Sequence, residues 1–124
     1  MVHLDTNFLI EALRPNSPQQ AQVLAWWSAP NNDVNVSSVV WAEFFCGPLS
    51  PAQELTARTF FPAPEPLLAI DAEMAAQLFN KSGRRSRTLA DCLIAAVAVR
   101  CQARLATINA SDFKPLVQHG LTLV

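Results

Sequence analysis

The stretch that decides the fold is VHLDTNFLIEAL, residues 2–13. Its first three residues predict a short strand, which stops at the polar triplet Asp5-Thr6-Asn7. Apolar residues then return at helical spacing, at positions 8, 9, 12 and 13. We therefore predict a strand that leads directly into a helix, with the carboxylate of Asp5 at the junction.

The same strand-then-helix order recurs further along the chain. Residues 34–36 alternate as in a strand and run into Ser37-Ser38, a plausible helix cap. Further strands are predicted at 67–70, 105–107 and 121–123, and helices at 18–29, 39–45, 51–60, 71–79 and 88–102, the fourth capped by Asp71 and the fifth opened by Thr88. Residues 111–113 predict a turn or a single helical turn. Short apolar strands alternating with helices favour one α/β domain over residues 1–124, with a central parallel sheet in a three-layer α/β/α arrangement.

Composition limits the kind of protein this can be. The chain has 124 residues, 51% of them hydrophobic and 15% charged, which excludes intrinsic disorder and supplies one core. Residues 15–32 carry no charge, but their prolines, glutamines and asparagines argue against a membrane span. The first residues show no export signal, so we expect a cytoplasmic protein. Cys46, Cys92 and Cys101 follow no metal-ligand spacing, and we expect reduced, mostly buried thiols.

Acidic residues are expected to gather at one edge of the sheet. Functional groups in parallel sheets collect beyond the carboxyl ends of the strands. Asp5, the segment 38–43 with Glu43, and the segment 107–112 with Asp112 all follow predicted strands. Asp91 heads residues 92–99, which lack polar side chains, so the first turn of this buried helix would face the same edge.

Each of these acids also has a purely structural interpretation. Asp5 could be a helix cap, and Asp112 a turn residue. Asp91 could complete a capping box with Thr88. Glu43 could be solvated, although its neighbours Trp41 to Phe45 offer it no polar face. The alternative is that Asp5, Glu43 and Asp91 meet in one pocket, with Asp112 or Asn109 near its rim.

A cation would resolve the repulsion within such a pocket. Several carboxylates a few ångströms apart in a low-dielectric cleft do not all stay ionised without one. Oxygen ligands favour Mg²⁺ or Mn²⁺ over zinc, and His3 and His119 are isolated in the sequence. Magnesium held by a few carboxylates accepts phosphate oxygens, which indicates phosphoryl-ester chemistry.

Positive charge is concentrated just before Asp91. Four of the nine Lys and Arg residues fall within seven positions, although the formal net charge is -1. These residues are Lys81, Arg84, Arg85 and Arg87. An exposed loop carrying them could hold a polyanion beside the metal, or it could simply be solvated. The three glycines are scattered, so no glycine-rich phosphate loop is present.

Taken together, these motifs resemble the PIN-domain ribonucleases, and within them the small VapC-type toxins of toxin–antitoxin pairs. The resemblance rests on residues 2–7, on Ser37-Ser38 followed by Glu43, on residues 89–96 and on residues 107–113. It implies a PIN-like α/β fold, an acidic pocket that binds Mg²⁺ or Mn²⁺, and hydrolysis of RNA phosphodiester bonds. It also implies a cognate antitoxin and a homodimer. Trp26, Trp27, Phe44 and Phe45 are candidates for the antitoxin's groove, or ordinary core aromatics.

The resemblance also implies a role for each residue that matches a motif of the family. Asp5, Glu43 and Asp91 match the three acidic sites, with Asp5 and Asp91 as metal ligands and Glu43 orienting water or a second ion. Thr6 and Asn7 match the polar pair that orients ligands or water. The fourth acidic position is ambiguous, because Asn109 occupies one candidate place and Asp112 lies three residues later.

Two other functions are compatible with parts of this pattern. The first is a PIN-like binding module without catalysis, which Asn109 supports because an amide brings no charge to a metal. The second is a receiver-type phosphoacceptor domain, which needs a lysine near the last strands. Lys114 alone is available there, in the wrong context after Asp112-Phe113. The sequence leaves the RNA class and the number of metal ions open.

Overall fold

Four short parallel strands form the sheet at the centre of the fold, in the order β2-β1-β3-β4. They are β1 Val2–Leu4, β2 Val34–Asn35, β3 Arg104–Ala106 and β4 Thr122–Leu123. The structure is a computed structural model that describes residues 1–84 and 89–124. His3 on the central strand pairs with Asn35 on one side and Leu105 on the other, so all carboxyl ends point to one edge. The predicted parallel sheet is confirmed.

Helices flank this sheet and complete the three-layer α/β/α arrangement. Those in the described residues are α1 Thr6–Ala12, α2 Pro18–Ser28, α3 Ser38–Phe45, α4 Pro51–Phe60, α5 Ala69–Lys81, α6 Leu89–Arg100 and α7 Ala110–Val117. Serine caps begin three of them: the hydroxyls of Ser17, Ser37 and Ser50 each accept a hydrogen bond from the backbone N–H three residues on. The sequence predicted all three starts.

The core lies between the sheet and the helices on its two faces. Val2 and Leu4 of β1 and Leu105 of β3 are completely buried. Helix α6 is buried along most of its length, from Cys92 through residues 94–98. The continuous apolar run after Asp91 therefore marks an internal helix, as the sequence indicated. No helix in the described part of the chain is long and apolar enough to cross a membrane.

The strand predicted at 67–70 is wrong, because α5 already begins at Ala69. The extended segment before it forms a single isolated parallel bridge, between Glu65 and Ser37, and accepts a side-chain hydrogen bond from Asn35 of β2 at the carbonyl of Ala63. Asp71 is not the cap residue but the third residue of the helix, and its Oδ2 accepts a hydrogen bond from the backbone N–H of Leu68 at 2.8 Å. The carboxylate of Asp71 thus caps the first turn of α5, so the helix begins inside the apolar stretch 67–70.

Arg100 at the end of α6 fixes the start of α5. Its Nε donates to Oδ1 of Asp71 at 2.8 Å, and Asp71 is only 1% exposed. The guanidinium also lies 3.1 Å from Oε1 of Glu65 and donates to the carbonyl of Pro66 at 3.0 Å. These bonds raise the pKa of Arg100 above its ordinary value. The buried carboxylate is therefore paired with a cation, as burial requires.

Four smaller expectations need correction or fall outside the described residues. Residues 111–113 belong to the eight-residue helix α7, because burial of Phe113 and Leu116 on one face stabilises further turns. Lys81 ends α5 instead of lying in a loop. Cys46 is exposed where we expected a buried thiol, since it follows the last turn of α3. The predicted opening of α6 by Thr88 lies outside the described residues.

Candidate active site

A cavity of about 150 Å³ lies beyond the carboxyl ends of β1 and β3. We call it the acidic pocket; its lining is Asp5, Thr6, Asn7, Glu43, Asp91, Ile94, Asn109, Asp112 and Phe113. The structure thus brings together four carboxylates that are up to 107 positions apart in the sequence, from residue 5 to residue 112. Thr6, Asn7 and Asn109, the polar residues expected beside the acids, line the same cavity.

Asp5 serves both as a helix cap and as a pocket residue. Its side chain is 4% exposed and caps α1, with Oδ1 accepting from the backbone N–H of Phe8 at 2.8 Å. The other oxygen, Oδ2, accepts from the hydroxyl of Thr107 at 2.5 Å. The two interpretations that the sequence left open are therefore compatible, because capping uses only one of the two oxygens.

Glu43, like Asp112, is an exposed acid of the pocket, and the sequence-based expectation that Glu43 lacks a polar face is wrong. Helix α3 turns Val40 and Phe44 toward the core, so Ala42 and Glu43 face outward. The hydroxyl of Thr6 donates to Oε1 of Glu43 at 2.6 Å and holds the carboxylate at the pocket. Thr6 therefore orients an acidic side chain, the kind of role that the resemblance implied for it.

Asp91 is half-buried at the start of α6, and its pKa is raised to about 6. Burial is the largest cause, followed by the negative charges of Asp112, Glu43 and Asp5. The pKa of Asp5 is also raised by burial, against the opposing effect of its hydrogen bonds from Thr107 and Phe8. The four carboxylates thus repel one another across the pocket, and each proton or cation that enters relieves part of that repulsion.

Both candidates for the fourth position lie in the pocket. Asp112 supplies the carboxylate, and its charge acts directly on Asp91. Asn109 lines the same cavity, and its carbonyl accepts a hydrogen bond from the backbone N–H of Asp112 at 3.0 Å. The N-cap of α7 and its first turn therefore contribute an amide and a carboxylate to the same pocket.

Thr107 is a site residue that the sequence reasoning missed. Its hydroxyl donates to Asp5 and accepts a hydrogen bond from the backbone N–H of Asn109 at 2.9 Å. The parallel register could have revealed it: Leu4 pairs with Ala106, and the backbone N–H of Asp5 donates to the carbonyl of Ala106. The residue after each strand end then lies beside the other, which puts a hydroxyl next to the buried carboxylate.

The donor chemistry of the acidic pocket fits a hard divalent cation. Its ligating groups are carboxylate, amide and hydroxyl oxygens, the set that Mg²⁺ and Mn²⁺ prefer. His3 is buried within β1, and His119 follows α7, so neither lines the pocket. Within residues 1–84 and 89–124, however, no group of three or more acidic, histidine or cysteine side chains closes into a ready-made ligand set.

The basic residues expected to hold a polyanion do not line the pocket where they are described. Lys81 ends α5, and Arg84 is exposed just after it, with a positive φ of 56°. Arg85 and Arg87 lie outside the described residues. A contact between this basic segment and a polyanion stays a prediction from the sequence.

A larger cavity of about 570 Å³ lies between α1, α3 and α4. We call it the apolar groove; it is lined by Ile10, Leu13, Arg14, Pro15, Glu43, Phe44, Gly47, Pro48, Leu49, Ala52, Gln53 and Thr56. Glu43 belongs to both cavities, so the groove adjoins the acidic pocket. Of the four aromatic candidates, Phe44 lines this groove. Phe44 is also a buried core residue, and Trp26, Trp27 and Phe45 pack against the core without lining this groove.

The sequence matches the model of the PIN domain family over residues 2–114, and the chain belongs to that family. Among solved structures, it is similar to a chain of FitAcB from Neisseria gonorrhoeae, with 26% identity over 99% of this chain and 96% of that one, and a TM-score of 0.74. The match to VapBC2 from Rickettsia felis, bound to a promoter DNA fragment, has 22% identity, 100% and 98% coverage and a TM-score of 0.75.

A third solved structure, a toxin-antitoxin complex from Klebsiella pneumoniae, matches with 24% identity, covering 92% of this chain and 91% of that one, and has a TM-score of 0.73. No curated protein sequence is similar enough to match. The structural neighbours thus agree with the VapC-type resemblance drawn from the motifs.

Proposed function

We propose that this protein is a Mg²⁺- or Mn²⁺-dependent endoribonuclease and the toxin of a toxin–antitoxin pair. The observation that carries the proposal is the acidic pocket of a PIN-domain protein, where three neighbouring carboxylates help raise the pKa of Asp91 to about 6. Structural ion-pair networks also shift pKa values, but among residues 1–84 and 89–124 the charged groups that shift the pKa of Asp91 are all carboxylates. A cluster of like charges destabilises the fold and is explained by a cationic ligand.

Asp5, Asp91 and Glu43 are the residues that would hold the metal, with Asp112 as the fourth carboxylate. When bound, the ion would polarise the phosphate and lower the pKa of a water molecule. Asp5 is held by two hydrogen bonds and keeps its orientation as the pocket fills. Glu43 is exposed and anchored by Thr6, so it can accept a hydrogen bond from the water that attacks phosphorus. Asn7 and Asn109 offer amide groups to orient that water.

We place RNA as the polyanion beside this pocket, with Lys81, Arg84, Arg85 and Arg87 contacting its phosphates. An acidic pocket repels a polyanion, so cations elsewhere must supply the binding energy. Neutralising the four basic residues should weaken RNA binding and flatten its dependence on salt.

We assign the apolar groove to a cognate antitoxin. The matched FitAcB and VapBC2 structures and the toxin-antitoxin complex from Klebsiella pneumoniae support such a partner. An apolar helix would fit a groove that Ile10, Leu13 and Phe44 line, and its end would reach Glu43 at the acidic pocket. Occupancy of the groove would then block access to the acids. A homodimer and a cytoplasmic location complete the proposal, and sedimentation of the purified chain tests the former.

Substitution of the buried acids tests the activity. Asp5→Asn and Asp91→Asn should each lower Mg²⁺-dependent cleavage of cellular RNA by about 100-fold or more. The reason is that each substitution removes a negative charge that would bind the metal ion. Asp33→Asn is the matched control, since this exposed aspartate lies outside the pocket lining. Cleavage at the wild-type rate by both pocket variants would refute the mechanism.

A binding module without catalysis is the second candidate, because an uncharged amide, Asn109, lines the pocket. Calorimetric titration with Mn²⁺ separates the two functions. A nuclease should show an Mn²⁺ site that Asp91→Asn removes. A pocket that no longer serves catalysis should show none, and the chain would then act only through its protein partner.

A further inference from the structure

Thr107 connects two parts of the acidic pocket that are far apart in the sequence. Its hydroxyl oxygen lies 2.5 Å from Oδ2 of Asp5, at the end of β1. The same oxygen accepts a hydrogen bond from the backbone N–H of Asn109, the residue before α7, at 2.9 Å. One side chain therefore contacts both the buried carboxylate and the start of the helix that carries Asp112.

The direction of these two hydrogen bonds follows from the chemistry of the groups. A backbone N–H can only donate, so Thr107 must use an oxygen lone pair toward Asn109. Its single hydroxyl proton is then directed at Oδ2 of Asp5, which accepts the hydrogen bond. Since the N–H of Phe8 occupies Oδ1, each oxygen of Asp5 has one fixed donor. The carboxylate has little freedom to rotate, and each oxygen keeps lone-pair capacity for a cation.

The helix α7 depends on the same hydroxyl. The side chain of its N-cap residue, Asn109, makes no capping hydrogen bond, and the backbone there has φ -115° and ψ 58°. The bond from its N–H to Thr107 is thus a direct link between the end of β3 and the first turn of α7. Because the N–H of Asp112 donates to the carbonyl of Asn109, the position of the fourth carboxylate follows from the same link.

We propose that Thr107 is a positioning residue of the metal centre, whose hydroxyl sets Asp5 and the first turn of α7 at a fixed separation. The inference rests on the proposed function, since it assumes that the acidic pocket binds a cation. It predicts that the hydroxyl itself matters for metal affinity, beyond the volume that Thr107 fills. Partners that hold a metal's ligands in place typically change affinity by about 10–100-fold when removed.

Three variants separate positioning from packing. Thr107→Val keeps the shape and removes both hydrogen bonds, whereas Thr107→Ser keeps the hydroxyl and removes a methyl group. Thr59→Val is the matched control, because the exposed Thr59 donates only to the carbonyl of Leu55 in its own helix at 2.8 Å. Mn²⁺ affinity is measured by calorimetry and by the spin resonance of bound Mn²⁺, with kcat and KM for RNA cleavage measured in parallel.

We expect Thr107→Val to weaken Mn²⁺ binding by about 10–100-fold and to lower kcat with little change in KM. Thr107→Ser should retain affinity near that of the wild type, and Thr59→Val should be indistinguishable from it. If the valine variant does not fold, Thr107→Cys replaces it, since a thiol is a weak donor of similar size.

Equal Mn²⁺ affinity in the wild type and Thr107→Val would overturn the inference, as would a serine variant as weak as the valine variant. In either case, a wild-type protein that binds Mn²⁺ and cleaves RNA would leave the proposed function standing. A wild-type protein with no Mn²⁺ site would overturn both.

Discussion

Replacing Asp91 with asparagine should stabilise the metal-free protein at neutral and alkaline pH. Burial and three neighbouring carboxylates raise the pKa of Asp91 from 3.8 to about 6 in the folded state. The folded protein therefore binds this proton more tightly than the unfolded chain does, and ionisation opposes folding. The free energy of unfolding must fall as the pH rises through the interval between these two values, and the amide variant escapes that loss.

The magnitude follows from the two pKa values. One unit of pKa difference corresponds to 1.36 kcal/mol, so the pair 3.8 and about 6 sets an upper limit of about 3 kcal/mol. Asp91 is only half-buried, and solvent screening reduces this to about 1–2 kcal/mol. For a domain of this size, that range raises Tm by about 4–10 °C.

Thermal unfolding in EDTA, followed by circular dichroism, is the assay. At about pH 8 the melting temperature of Asp91→Asn should exceed that of the wild type, whereas at about pH 3, below both pKa values, where Asp91 is protonated in the folded and the unfolded state, the two should coincide. Asp33→Asn should follow the wild type at both pH values. In a second series with Mn²⁺ in place of EDTA, the metal should raise the melting temperature of the wild type more than that of Asp91→Asn.

A pH-independent difference between the two proteins would show that the amide acts through packing, not charge. Equal or lower stability of Asp91→Asn at about pH 8 would refute the electrostatic coupling itself. In that case the four carboxylates would share a cavity without opposing one another, and the strongest argument for a cation would be lost.

Three further perturbations test other parts of the structure. Arg100→Met leaves the buried Asp71 unpaired and should cost about 3–5 kcal/mol in urea unfolding; a loss below 1 kcal/mol would contradict the pairing. Ser50→Ala removes the cap of α4 and should cost about 1 kcal/mol by the same assay, with RNA cleavage retained. Ala52→Arg places a large cation in the apolar groove and should abolish co-purification with the antitoxin while RNA cleavage persists; unchanged co-purification would place the partner elsewhere.

The sheet edge and the acids at it were predictable because local patterns determine them. An apolar strand of two or three residues ends at a polar residue, and parallel strands end at the same edge. Serine caps at Ser17, Ser37 and Ser50 likewise depend on hydrogen bonds within a single turn. Such features need no knowledge of distant parts of the chain, and the structure shows each of them.

The predictions that were wrong or missing share a different cause, because they depend on contacts between segments that are distant in the sequence. Leu67 to Ile70 resemble a strand, but Arg100, 29 residues beyond Asp71, holds the carboxylate that starts α5 there. The exposure of Glu43 depends on how α3 is rotated when Phe44 enters the core. Thr107 escaped notice because its role needs the register of β1 against β3. Tertiary contacts determine the start of α5, the exposure of Glu43 and the role of Thr107, and a local sequence pattern does not indicate such contacts.

The acidic pocket gathers its carboxylates from positions 5, 43, 91 and 112, that is, from the junction of β1 and α1 and from three further helices. During synthesis, a nascent chain shorter than 112 residues lacks one of them, and α7 can take its place only after β3 has paired with β1. Partial products of translation therefore lack the complete constellation, and so do proteolytic fragments cut between these elements. For the nuclease proposed above, assembly of the site from such distant positions delays activity until residue 112 has been synthesised and has joined the other three carboxylates.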